Sequence, residues 1–219
     1  VNKNVSNAFS IQGFANVDFL NHFRLTVNGS VYVTENRINT GTNPYYGYAS
    51  NESSLGAVFV GHYRTVDYNY QQLLNYNNSF GKNNVDVLLG HEYSRNNGTR
   101  VEASRTKVAM FDKNTEIAGA VVDSDMNSYQ TNYNVEGYFL RAQYDYDNRI
   151  FASGSFRRDG SSRFHPKHRW GNFWSLGAAW ILTKEEWFPS NSVLNMLKLK
   201  ASYGEQGNDG IGNFRYVDT

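Results

Sequence analysis

Few residues in this chain have the types and spacing that catalysis or metal binding demands. His165 and His168 stand three apart with Pro166 between them, but no third ligand accompanies them. His91-Glu92 lacks the second His of a zinc-protease helix and sits in a stretch that alternates like a strand. Asp123 and Asp125 lack the Gly and distal Glu of a calcium loop. The glycine-rich run Gly204 to Gly212 follows a strand pattern without opening a helix, so it does not read as a nucleotide cradle. No nucleophile–base pair stands out, and a chain without Cys has neither a thiolate site nor a disulfide framework. The expectation is a protein that is not an enzyme and uses no metal or cofactor.

Binding is the better prospect. Asp67, Asn69, Glu92, Arg141, Gln143 and Arg157 fall on the polar side of alternating stretches, where they could line a substrate path. The plainer reading is contact with another part of the protein, or hydration alone. The segment Arg158-Asp159-Gly160-Ser161-Ser162-Arg163 could grip a carboxylate through its arginine forks. Turn residues dominate it, so a loop buttress with Asp159 paired to Arg158 or Arg163 is the favoured expectation. Tyr45, Tyr46 and Tyr48 could stack on sugar rings or pack on a partner, with ordinary loop packing the equal alternative. A net charge of +1 is too balanced to point to nucleic acid.

The elements that would hold these residues are strands. From Phe9 the odd positions read Phe, Ile, Gly, Ala, Val, Phe against Ser, Gln, Phe, Asn, Asp at the even ones, and the pattern resumes from Phe23 to Thr34 after Leu20-Asn21-His22. Further alternating stretches follow: Gly56 to Phe80, Val85 to Tyr93, Asn134 to Tyr146, Ile150 to Arg157, Trp174 to Leu182 and Leu197 to Tyr203. Several run to about 11 residues, the length a tilted strand needs to cross a bilayer. Polar segments separate them at Glu35 to Ser54, Asn96 to Asn127 and Arg158 to Arg169, and Lys184 to Asn195 is the one plausible helical turn. Gly81 to Asn84 and Asp147-Asn148 read as tight turns.

Composition agrees with an all-β reading. Aromatic residues make up 16% of the 219, against three Pro. No apolar run reaches the ~18 residues of a membrane helix. The mean hydropathy of -0.61 does not exclude a barrel, whose strands show lipid only every second side chain. Connections alternate short and long, as in outer-membrane barrels with short periplasmic turns and long extracellular loops. Nothing near Val1 resembles a signal peptide, and both ends read as cuts. In a barrel wall, Tyr68, Leu74, Val85, Leu140, Ala178 and Leu199 form a lipid-facing band. In the alternative, a soluble extracellular β-sandwich that binds carbohydrate, the same residues are buried between two sheets.

From Tyr146 onward the chain resembles a known family. The run Phe156-Arg157-Arg158-Asp159-Gly160-Ser161-Ser162-Arg163-Phe164, then Arg169-Trp170-Gly171, Ser175-Leu176-Gly177-Ala178-Ala179-Trp180, and the block Leu197 to Asn208 are similar to the ordered motifs of SusC/RagA TonB-dependent transporters. Phe80-Gly81-Lys82 and Val85 to Gly90 resemble a weaker family block. The resemblance implies residues 1–219 to be about eight antiparallel strands of a transmembrane β-barrel of roughly twenty-two, with the plug domain and the other strands outside them. It also implies a Gram-negative outer-membrane location, uptake of oligosaccharide or peptide, a SusD-like surface lipoprotein partner, and TonB engaged through the plug.

Overall fold

The computed structural model describes residues 2–42, 56–109, 115–189 and 194–213. These form one eight-stranded sheet in which every strand lies beside its neighbours in sequence. The strands are β1 (Asn2–Phe19), β2 (Phe23–Thr42), β3 (Ala57–Phe80), β4 (Asn83–Val108), β5 (Ala120–Tyr146), β6 (Ile150–Ser161), β7 (Trp170–Ile181) and β8 (Lys198–Gly204). Both expected tight turns are present, that over Gly81 to Asn84 shortened to Gly81-Lys82 because β4 begins at Asn83. Asp147 and Asn148 have φ of 54° and 53°, the left-handed pair of a type I′ hairpin, and the Asp145 carboxylate accepts the Asn148 N–H at 2.7 Å. Gly81, with φ of 61°, turns β3 into β4.

Strand lengths depart from the sequence reading. β2, β4 and β5 have 20, 26 and 27 residues, so Glu35 to Thr42 and much of Asn96 to Asn127 are ladder and not connection. Where both faces of a strand are polar the period-two signal disappears although the backbone pairing continues. Tyr45, Tyr46 and Tyr48 lie outside the described residues. Of the helical turn expected over Lys184 to Asn195, the described residues show a 3-10 turn at Leu182–Lys184, and residues 190–193 lie outside them.

Directly opposed residues share a face of a sheet. Ala142, Gly154, Leu176 and Tyr203 form one such row, and Tyr144, Ala152, Ala178 and Ala201 form the next. Between them, on the other face, lies the row Gln143, Ser153, Gly177 and Ser202. One face is thus apolar and the other polar, as the alternation predicts. No second layer covers the apolar face among the described residues: Leu140, Leu176 and Leu199 are 39%, 60% and 54% exposed. A sandwich would bury them between its sheets. The sandwich alternative therefore falls.

Internal packing divides the chain into two compact units. The first comprises Val1–Ile11, Ser30–Tyr68 and Arg95–Asn132, and polar cross-strand ties dominate it. Arg37 donates to both carboxylate oxygens of Glu116 at 2.8 Å, buried Asn39 donates to the Thr115 carbonyl at 3.2 Å, and Arg105 pairs with Asp123 at 2.6 Å. The second comprises Gln12–Gly29, Asn69–Ser94 and Tyr133–Thr219, and it holds the two-faced sheet of β5 to β8.

Candidate functional site

In the second unit the polar face is built by strand parity. Arg157 and Asp159 stand two apart on β6, so their side chains emerge on the same side, while Arg158 between them points to the other. The Arg157 guanidinium donates to both oxygens of Asp159 at 2.6 and 2.7 Å and to Glu92 on β4. It also lies over the Phe139 ring of β5, 5.4 Å from its centroid. Two glycines create the space. A Cβ at Gly137 would come within 2.9 Å of the Arg157 Nη2, and one at Gly90 within 2.6 Å of three Phe139 ring carbons. The ring therefore lies flat across the Gly90 backbone and carries the ion cluster above it.

Arg141, on the same face, is 3.7 Å from Asp86, whose carboxylate also accepts from Asn75 and Asn77 at 3.1 and 3.3 Å. Gln143 lines a concavity of about 520 Å³ whose wall includes Asp145, Ser153, Lys198, Lys200 and Ser202. Asn69 is exposed on β3. In the first unit, Asp67 accepts a hydrogen bond from Asn96 at 2.5 Å. Five of the six residues singled out from the sequence thus belong to the second unit and one to the first. Glu92 and Arg157 meet directly; Asn69, Arg141 and Gln143 do not join that cluster.

The arginine-rich motif is a buttress, with partners other than those expected. Asp159 pairs with Arg157 and not with Arg158 or Arg163, because parity turns Arg158 onto the Trp170 ring, 5.4 Å from its centroid, on the apolar face. Arg163, past the end of β6, stacks on the Tyr133 ring at 3.9 Å and donates to the Asp209 carbonyl and the Asn213 side chain, each at 3.0 Å. Gly160 leaves room for Trp170: a Cβ there would lie 3.0 Å from the ring. Ser161, 6% exposed, donates to the Asp209 carboxylate at 3.0 Å. Ser162 exchanges two bonds of 2.9 Å with the Asn134 backbone, and the Phe164 carbonyl accepts from Arg169 at 3.2 Å. Burial of Asp209 works against its ionisation. The hydrogen bonds from Tyr133 and Ser161 and the nearby Arg163 outweigh it and hold the carboxyl below its ordinary range. The motif thereby ties Asp209 and Asn213 to β5.

Sequence reasoning missed Tyr133 and Asp209, 76 residues apart; the glycine-rich run around Asp209 was the only hint. It also missed a cluster of the first unit, whose Arg100 and Glu102 lie in a stretch read as a connection. There Arg100 lies between the rings of Tyr63 and Tyr129, at 4.7 and 5.6 Å, and Glu102 accepts from both Arg100 and Tyr63. The His165 and His168 rings are 6.2 Å apart, and no three potential metal ligands gather among the described residues. The polar face can hold charged or hydrogen-bonding groups. Among the described residues it presents no assembled nucleophile and base.

No protein-family model matches the chain. It is 31% identical over 159 residues to the TonB-dependent receptor P39 of Formosa agariphila, covering 69% of the chain and 15% of that protein. To the TonB-dependent receptor SusC of Bacteroides thetaiotaomicron it is 30% identical over 149 residues, 68% of the chain and 14% of that protein. The chain therefore spans about 15% of the length of these curated relatives. Among solved structures, the RagAB peptide importer in its open-open state superposes with a TM-score of 0.88 at 27% identity, over 98% of the chain and 24% of that structure's chain. The structure of the RagAB peptide transporter gives a TM-score of 0.86 at the same identity, over 97% and 24%.

Proposed function

Since this chain is a SusC/RagA-like stretch of TonB-dependent transporter β-barrel, we propose that it forms part of the wall of an outer-membrane importer that takes up oligosaccharides or peptides. One observation carries the reading: an apolar face bounded by aromatic rings lies back to back with a polar, ion-paired face. On β7 this face runs from Trp170 to Trp180, with Asn172, opposite Arg158, as its one polar member and Trp174, Leu176 and Ala178 between. Ten steps of ~3.3 Å, tilted by ~45°, rise ~23 Å. An outer-membrane apolar band is ~25 Å tall and edged by aromatic girdles. β2 to β5 have 20 to 27 residues, more than the ~9–11 that a crossing needs, so they project beyond the lipid on the side of the long connections.

The role is transport and not catalysis. Asp67, Asn69, Glu92, Arg141, Gln143 and Arg157 face the lumen, where they line the substrate path or meet a plug. The whole protein works with a SusD-like lipoprotein on the cell surface and draws energy from TonB through that plug. The chain's relation to the peptide importer and to SusC supports this reading.

Cysteine labelling in outer membranes that carry the full-length parent tests it. Leu140, Ala142 and Tyr144 should react with lipid-soluble reagents, and Arg141 and Gln143 with water-soluble ones. Uniform protection along 140–144, or a protein that washes off the membrane, sinks the proposal. Uptake of labelled oligopeptides against labelled oligosaccharides then separates the two cargo classes.

A further inference from the structure

The connection between β7 and β8, residues 182–197, is longer than the 162–169 connection although it lies at the end of the sheet where the other turns are tight. Its first part is firmly held. The Leu182 N–H donates to the Leu197 carbonyl at 2.9 Å, Arg149 donates to Glu185 at 3.0 Å, and the Lys184 ammonium donates to the Asn148 carbonyl at 2.9 Å. So secured, the connection presents large apolar side chains outward: Trp187 is 64% exposed and Met196 66%. Trp187 packs edge-on against Trp180 at 6.1 Å and beside Phe188 at 6.0 Å. Trp180 belongs to the row Ile150, Trp180, Leu199, the last row of the apolar face at this end. The indole N–H of Trp180 is already committed to Glu185 at 2.9 Å, so its ring offers only carbon outward, whereas the Trp187 N–H has no partner among the described residues.

From this continuity we infer that the first part of the β7–β8 connection is an interfacial anchor, with Trp187 seated in the phospholipid leaflet nearest the short turns. The inference rests on the barrel-wall reading. An apolar ring with a free N–H suits the headgroup boundary, where the ring displaces water and the N–H finds ester or phosphate oxygens. A short hairpin would close this end of the sheet equally well. Trp187 instead extends the apolar face beyond Trp180, and the Arg149–Glu185 pair keeps the polar root of the connection out of the lipid.

The test uses the full-length parent in vesicles of phosphatidylethanolamine and phosphatidylglycerol, with bimane attached at Trp187→Cys. Leu140→Cys serves as the lipid-band control and Lys82→Cys as the aqueous one. Position 187 should lose most of its emission to nitroxide-labelled lipid, as position 140 does, and its quenching by iodide should be a small fraction of that at 82. If 187 behaves like 82 while 140 is still quenched by lipid, the anchor is wrong and the barrel wall stands. If 140 also behaves like 82, both are wrong.

Discussion

Replacing Gly90 by alanine should strike at the support beneath the Arg157 cluster. The new Cβ would lie within 2.6 Å of three Phe139 ring carbons, so the ring has to recede by about 1 Å or more to regain carbon contact. Phe139 is hemmed in: Arg157 lies on its face, and Arg157 is held in turn by Asp159 and Glu92. Overpacking of this kind costs about 1–3 kcal/mol, a roughly five- to hundredfold shift of the folding equilibrium. Urea titration of the full-length parent folded into lipid vesicles measures the loss. In a Phe139→Ala background the same alanine meets no ring, and the double-mutant cycle should return most of the penalty as coupling. An unchanged midpoint for Gly90→Ala, or an equal loss with and without Phe139, would refute the packing argument.

Three further outcomes follow from the geometry. Leu176→Lys places an ammonium in the middle of the apolar face and should cost about 2–4 kcal/mol, while Ser175→Lys, on the polar face, should cost little; equal losses by urea titration would contradict the assignment of faces. Asp147 is held below its ordinary value chiefly by its hydrogen bond from Lys82. Its contribution is therefore complete above the unfolded value of about 3.9 and fades as pH falls through the lowered one, so Lys82→Ala should flatten the acid limb of a thermal-stability profile below about pH 4. Arg163→Ala removes the stack on Tyr133 and two hydrogen bonds to residues 209 and 213, and a Glu-specific protease should then cut at Glu205 about tenfold faster. Arg158→Ala, on the opposite face, should leave that rate unchanged.

The sequence by itself determined which side chains share a face. Period two is imposed by the extended backbone, so Leu140 and Ala142 against Arg141 and Gln143 could be assigned before any pairing was known, and the observed registers agree. Asp147-Asn148 likewise announces its turn through residues that tolerate positive φ. Strand ends were not legible. Beyond the apolar band β4 and β5 carry Asn, Thr, Arg and Tyr on both faces, and a ladder bathed in water on both sides leaves no hydrophobic rhythm.

Partners were decided only by the tertiary structure. Asp159 could have paired with any nearby arginine; parity and the reach of Glu92 from β4 selected Arg157. Glycine at 90 has no meaning until Phe139 is laid across it, and Tyr133 meets Asp209 only because the segment after β8 runs back to β5. Alternation is local and survives in a single chain, whereas cross-strand register joins residues distant in sequence and exists only once the sheet has formed.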